Sequence, residues 1–267
     1  MNPGQFTEAR IAEMVAGVTA YFSGERKLYL PHTEPLAADW RAVLEPYFSA
    51  DVLDRVRTLT LQGARIPPPP FYAEAMALTG GNFPDFVHMA SVTYVDVIVF
   101  HDRIESRPLF HGVVHAAQIA ILGFEQYVEL YVRGFVKNLS WLTIPLEDQA
   151  YKLDARFAEA PSDIFSVDEE IKTWHSQGKY NRPSGRQRKA NSNSEAPRRT
   201  WPVNYFGLAH SVESGTSQLC LSCPTGHKSG RGRSWELRSA GHLRHMWLQR
   251  SSERAASLFR SFHSHAS

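Results

Sequence analysis

Residues 110–118 read FHGVVHAAQ, which places two histidines at helical spacing within an apolar run. On an α-helix His111 and His115 lie one turn apart on the same face, where two imidazoles can bind a single cation. Gln118 follows near that face. The stretch therefore predicts a helix that carries either a metal site or a pair of interior or interface histidines.

The surrounding sequence predicts an α+β domain over residues 1–168. The motif helix is expected from Arg107 to Leu122 and is ended by Gly123. Before it, residues 89–100 are rich in β-branched and aromatic side chains, which predicts one continuous strand, and a shorter strand is predicted at 58–61. Apolar periodicity predicts further helices at 7–22, 36–48, 49–56, 125–137 and 146–160.

The charge of the chain changes abruptly near residue 170. Residues 171–267 hold 16 Lys+Arg against 4 Asp+Glu, whereas the residues before them are net acidic. Helical periodicity stops near Asp168, and Ser, Arg, Gly, Asn and His dominate afterwards. Residues 169–267 are therefore predicted to be a basic Ser/Arg-rich tail that is either disordered or out of frame.

Two further functions are open for this tail. Cys220 and Cys223 precede a few histidines at spacings that zinc sites use, although almost no apolar residues surround them; these are His227, His242 and His245. Tryptophans among the arginines would suit a nucleic-acid binder, but no recognition motif accompanies them, so no specific nucleic acid is expected.

Glu147 is the candidate third metal ligand. It lies 32 residues after His115, in the segment IPLEDQAY at residues 144–151, where Pro145 opens the predicted helix. A carboxylate in a first helical turn is either a ligand or a residue favoured by the helix dipole.

The order of a strand, an H-x-x-x-H helix and a P-L-E-x-x-A helix over residues 90–160 resembles the gluzincin branch of zinc metallopeptidases, whose helix motif is H-E-x-x-H. The closest likeness is to small bacterial domains of the HELxHVxQ type. The resemblance implies a zincin-like core with a short β-sheet, and Zn²⁺ bound by His111, His115 and Glu147. It also implies that a peptide or protein substrate would lie along the strand around 92–100.

Gly112 departs from that motif at the position of the catalytic glutamate. In metallopeptidases this glutamate accepts a proton from the zinc-bound water, which glycine cannot do. Three explanations stay open. The chain is a non-catalytic binding or structural module that keeps the metal or only the fold; or another carboxylate, from Asp148, Glu105 or Asp102, is the base; or the gene is decayed or misread.

Tyr127 and Tyr131 either contact a substrate or pack in the core, and His101 is expected in a solvated loop beside Asp102. The chain has no apolar run of about 20 residues, so no membrane span is expected. No secretory signal is readable at the N-terminus, which makes a cytoplasmic location the expectation.

Overall fold

A computed structural model describes residues 6–81 and 83–181. They form an α+β fold with a four-stranded mixed sheet in the order β1-β2-β4-β3. The strands are β1 Glu34–Pro35, β2 Arg57–Thr60, β3 Ser91–Tyr94 and β4 Val97–Phe100. The described residues contain eight α-helices: α1 Glu8–Tyr29, α2 Ala38–Leu44, α3 Ala50–Arg55, α4 Tyr72–Leu78, α5 Ser106–Leu122, α6 Phe124–Asn138, α7 Pro145–Glu159 and α8 Val167–Ser176. The predicted Cys/His zinc site and the tryptophans proposed for nucleic-acid binding, Trp201, Trp235 and Trp247, lie outside these ranges.

The strand predicted over residues 89–100 is instead a hairpin, so the prediction of one continuous strand was wrong. Tyr94 pairs with Val97 across a two-residue turn, and Val95 adopts a φ of 64°, which β-branched residues rarely do. The turn is held from outside, because Arg26 of α1 donates two hydrogen bonds to the carboxylate of Asp96 at 2.5 and 2.7 Å.

The strand order restricts where a peptide could pair with the edge of this sheet. β4 pairs with β2 on one side and with β3 on the other, so it lies inside the sheet. Only β3 lies at that border of the sheet. A peptide that extended this sheet would therefore pair with residues 91–94 rather than with the whole predicted stretch.

The two faces of the hairpin have different partners. Ile98 and Phe100 belong to the larger core, which contains the buried side chains of α5. Tyr94, Val97 and Val99 belong to a second core on the other face, which includes tyrosines of α1. The alternation of side chains along a strand thus places the sheet between α1 and α5.

Helix α5 is the centre of the fold, and its bounds agree with the predicted Arg107 to Leu122. It packs against α7, α8 and β3, and most of its residues from Leu109 onwards are buried. It ends at Gly123, whose φ of 84° favours glycine. A Cβ atom at Gly112 would lie 3.0 Å from Ile98 Cγ2 and from Thr93 Oγ1, so glycine allows this close approach of helix and sheet.

The ordered fold continues past the boundary predicted at residues 168 and 169. That boundary falls inside α8, where Val167 and Ile171 are fully buried, and Tyr180 is buried beyond the helix. These few apolar residues are too short a stripe to give a clear periodic signal. Among the residues described, no helix is both long enough and apolar enough to cross a membrane.

Candidate metal centre

His111, His115 and Glu147 converge on one point between α5 and α7. The Nε2 atoms of the two histidines are 3.0 Å apart, and Glu147 Oε2 lies 3.6 Å from the first and 3.5 Å from the second. The part of the chain that the structure describes contains no other group of three or more His, Cys, Asp or Glu residues arranged to hold a metal ion. These three residues lie close enough to hold one.

Asp154 fixes the orientation of the His111 ring. His111 Nδ1 lies 2.9 Å from Asp154 Oδ2, and Arg107 donates two hydrogen bonds to the other oxygen of that carboxylate at 2.9 and 3.1 Å. Because the ionised carboxylate accepts hydrogen bonds, Nδ1 carries the proton of the neutral ring. The lone pair of His111 Nε2 therefore points towards His115 and Glu147.

Gln118 has the same effect on His115. The amide nitrogen of Gln118 donates to the carbonyl of Leu146 and to Gln149 Oε1, each at 3.0 Å, which fixes the orientation of the amide. Gln118 Oε1 must then accept the hydrogen bond from His115 Nδ1 at 3.0 Å. The Tyr127 hydroxyl lies 3.2 Å from the same nitrogen. His115 Nε2 is thereby left with a lone pair that faces the other two ligand atoms.

The support for His115 extends beyond residue 168. Gln149 Oε1 also accepts a hydrogen bond of 2.5 Å from the Tyr180 hydroxyl, and Gln149 Nε2 donates to the carbonyl of Glu170 at 3.2 Å. Every side-chain group in this chain of amides has a partner. The segment predicted to be the start of a tail thus completes the outer layer of the candidate metal centre.

Glu147 is positioned from α6 as well as by its own helix. The Tyr131 hydroxyl donates to Glu147 Oε1 at 3.0 Å, while Oε2 faces the histidines. The side chains of His111, His115 and Glu147 are 19%, 10% and 11% exposed, so the cluster is largely buried but reaches solvent. A bound ion would therefore have a path to water.

The electrostatics of the cluster favour a cation at its centre. Burial lowers the pKa of His111, but the hydrogen bond to Asp154 and the bond and charge of Glu147 outweigh it and raise that pKa to about 9. Burial raises the pKa of Glu147, but the charge of His115 and hydrogen bonds from both histidines hold it well below its usual range. Without a metal, the cluster binds a proton in the place that a metal ion would take.

Each of the three candidate bases is paired with a basic side chain outside this cluster. Asp148 forms an ion pair with Lys152 at 2.7 Å within α7. Glu105 is paired with Arg103, and Asp102 is paired with Arg65 at 3.6 Å. The structure thus gives each of these carboxylates another partner.

His101 lies in the core and not in the solvated loop that the sequence predicts. It was expected in a solvated loop, but it is only 1% exposed and its Nε2 accepts a hydrogen bond from the backbone of Ile66 at 3.1 Å. Burial, with the nearby charge of Arg65, lowers the pKa of His101 to about 4. His101 is therefore a neutral core residue and not part of the metal centre.

The sequence identified the three residues that lie close together in this cluster but missed most of the side chains that orient them. Asp154 follows Glu147 by seven residues, which is two helical turns on one face, and this spacing was an available signal. Tyr127 and Tyr131 were weighed only as packing or substrate contacts, whereas their hydroxyls reach His115 and Glu147. The roles of Gln149 and Tyr180 depend on tertiary packing and had no local signal.

Comparisons of the chain with protein-family models, with curated proteins and with solved structures found no match.

Proposed function

We propose that this protein is a metallopeptidase-like zinc-binding domain with a zincin-like core, in which peptide hydrolysis is impaired. The observation that carries the proposal is the convergence of His111 Nε2, His115 Nε2 and Glu147 Oε2, with both Nδ1 atoms already engaged by acceptors. Outer hydrogen bonds of this kind orient histidines for metal binding.

The donor set suits zinc in both chemistry and spacing. Two imidazoles and one carboxylate form a set that catalytic zinc sites use, with a fourth position left for water. A tetrahedral ion with bonds of about 2.0–2.1 Å keeps its ligand atoms about 3.3–3.4 Å apart. The three separations of 3.0, 3.5 and 3.6 Å bracket that value.

The impairment follows from Gly112. Bound zinc would lower the pKa of its water to about 7, but the motif helix supplies no carboxylate to accept the proton. The loss of a positioned general base typically reduces a rate by about 10²- to 10⁴-fold. The polar hydroxyl nearest to the ligand carboxylate is that of Tyr131, which donates a hydrogen bond to Glu147 and has a pKa raised well above its usual range by burial. Tyr131 therefore orients Glu147 and is not a base.

Metal titration tests the binding part of the proposal. Zinc is titrated by calorimetry into chelator-treated protein, and one ion per chain is expected to bind. Glu147→Gln and His111→Ala are expected to weaken zinc binding at least 100-fold. His88→Ala is the matched control, because His88 is an exposed histidine paired with Asp85. Equal affinity in all four proteins would refute the site.

A peptidase assay tests the impairment. Gly112→Glu is expected to raise hydrolysis of denatured casein by about 10²- to 10⁴-fold over the natural chain. Because a side chain at residue 112 meets Thr93 Oγ1 at 3.0 Å, the variant is also made with Thr93→Ala to provide space. If both variants fold and bind zinc but cleave no casein, the metallopeptidase likeness does not extend to mechanism.

A metal-free binding module is the second candidate function. The observation in its favour is the raised pKa of His111. A proton bound between His111, His115 and Glu147 would balance the charge of the carboxylate without a metal ion. In that case chelator treatment would leave the melting temperature unchanged, and zinc would not raise it. A zinc-dependent rise in melting temperature supports the metal centre instead.

A further inference from the structure

A cavity of about 180 Å³ lies between α1, α4 and α6, and Tyr131 is among its lining residues. Its walls are mainly apolar and include Met14, Val18, Phe71, Leu78, Phe83 and Phe135. A cavity of about 150 Å³ with apolar walls is large enough to bind benzene. The space therefore suits a group of the size of one aromatic ring.

Gly17 keeps this cavity open. It lies in the middle of α1 and lines the cavity, and a Cβ atom at this position would have no heavy atom within 4 Å. Glycine inside a helix is about 1 kcal/mol less favourable than alanine. The backbone of α1 has no need of a glycine at this point, so the residue leaves space beside the apolar walls at the expense of helix stability.

The charged residues that line the cavity are paired with one another. Arg10 is paired with Glu13 at 2.7 Å and also with Glu74, and all three residues line the cavity. The guanidinium is thus shared by two carboxylates and is not available to an anion. A cationic ligand would have to compete with Arg10 for the same carboxylates. An uncharged ligand disturbs none of these pairs.

Tyr131 places the cavity next to the metal centre. Tyr131 lines the cavity, and its hydroxyl donates to Glu147 Oε1 at 3.0 Å. From these observations we infer that the cavity is a binding site for a small uncharged molecule, or an uncharged group of a larger ligand, that carries one aromatic or aliphatic ring. This inference goes beyond the proposed zinc binding and does not depend on it.

The test uses three probes of nearly equal size, which are benzyl alcohol, benzoate and benzylammonium. Binding to the full chain is measured by ligand-observed NMR titration. Benzyl alcohol is expected to bind saturably at one site, and the two charged probes are expected to bind at least tenfold more weakly. Benzoate binding as tight as that of benzyl alcohol would overturn the inference, because it would make Arg10 an anion site.

Two variants that fill the cavity locate the binding. Gly17→Leu is expected to weaken benzyl alcohol binding at least tenfold, and Ala75→Leu, from the α4 wall, is the independent second variant. Gly17→Ala is the matched control, since it adds only one methyl group and is expected to keep the affinity within about threefold. Affinity unchanged in both leucine variants would contradict the inference. None of these binding measurements requires a metal, so they can be interpreted even if the protein does not bind zinc.

Discussion

Replacement of Gly112 by alanine tests whether this glycine is required for packing. The matched substitution is Gly17→Ala, because both glycines lie inside long helices and both substitutions remove the same unfavourable helix propensity of about 1 kcal/mol. The two sites differ in burial and in what a Cβ atom would meet, since Gly17 is exposed and Gly112 is buried. At Gly17 it meets no heavy atom within 4 Å, whereas at Gly112 it meets Ile98 and Thr93.

The magnitude follows from those contacts. The added carbon at residue 112 would lie 3.0 and 3.1 Å from two atoms of Ile98, which is fully buried and cannot turn into solvent. Overpacking of this kind costs about 1–3 kcal/mol. After subtraction of the propensity gain, Gly112→Ala is expected to lower the free energy of unfolding by about 0–2 kcal/mol. Gly17→Ala is expected to raise it by up to about 1 kcal/mol.

Urea unfolding followed by circular dichroism provides the measurement, with the m-value used to check that both variants unfold as the natural chain does. The expected difference between the two variants is about 1–3 kcal/mol, with Gly112→Ala the less stable. An equal gain in stability at both positions would refute the packing argument. Gly112 would then be a simple loss of the motif glutamate with no structural consequence.

Three further outcomes are expected. Between pH 6.5 and about 4, the unfolded chain binds a proton at His101 that the folded chain does not, so the contribution of His101 to stability is fully present above pH 6.5. That contribution should fall by about 3 kcal/mol as the pH drops to 4, and His101→Gln should remove about one proton from the slope of stability against pH. In urea unfolding, a chain ending at residue 168 should be less stable than one ending at residue 181 by about 3 kcal/mol or more, because the buried side chains of Ile171 and Tyr180 are removed. Equal stability of the two chains would show that α8 is dispensable. Asp154→Asn should weaken zinc binding about 10- to 100-fold in a chelator competition, and an unchanged affinity would show that His111 does not need this carboxylate.

Local signals were sufficient for the central helices. The predicted motif helix from Arg107 to Leu122 differs from α5 by one residue at its start, because its apolar periodicity and Gly123 are both local features. The histidine pair was predictable for the same reason, because one helical turn separates His111 from His115, and Pro145 marks the start of the helix that carries Glu147. The meeting of Glu147 with the histidines was an expectation from the family resemblance.

Features that depend on distant residues were not predictable. Val95 gives no turn signal, and Arg26, whose side chain bonds the carboxylate of Asp96, lies 70 residues earlier in the chain. In the same way, Tyr180 reaches Gln149 because the chain that follows α8 packs against α6 and α7. A sequence that lacks periodicity after residue 168 gives no indication of this contact.

Zinc K-edge X-ray absorption of the full chain tests most directly whether one zinc ion is bound by two imidazoles and a carboxylate. A shell of nitrogen and oxygen atoms at about 2.0–2.1 Å with imidazole scattering is expected, and it should be lost in His111→Ala. A sulfur shell at about 2.3 Å would instead place the metal on Cys220 and Cys223, and absence of bound zinc would remove the metal centre altogether.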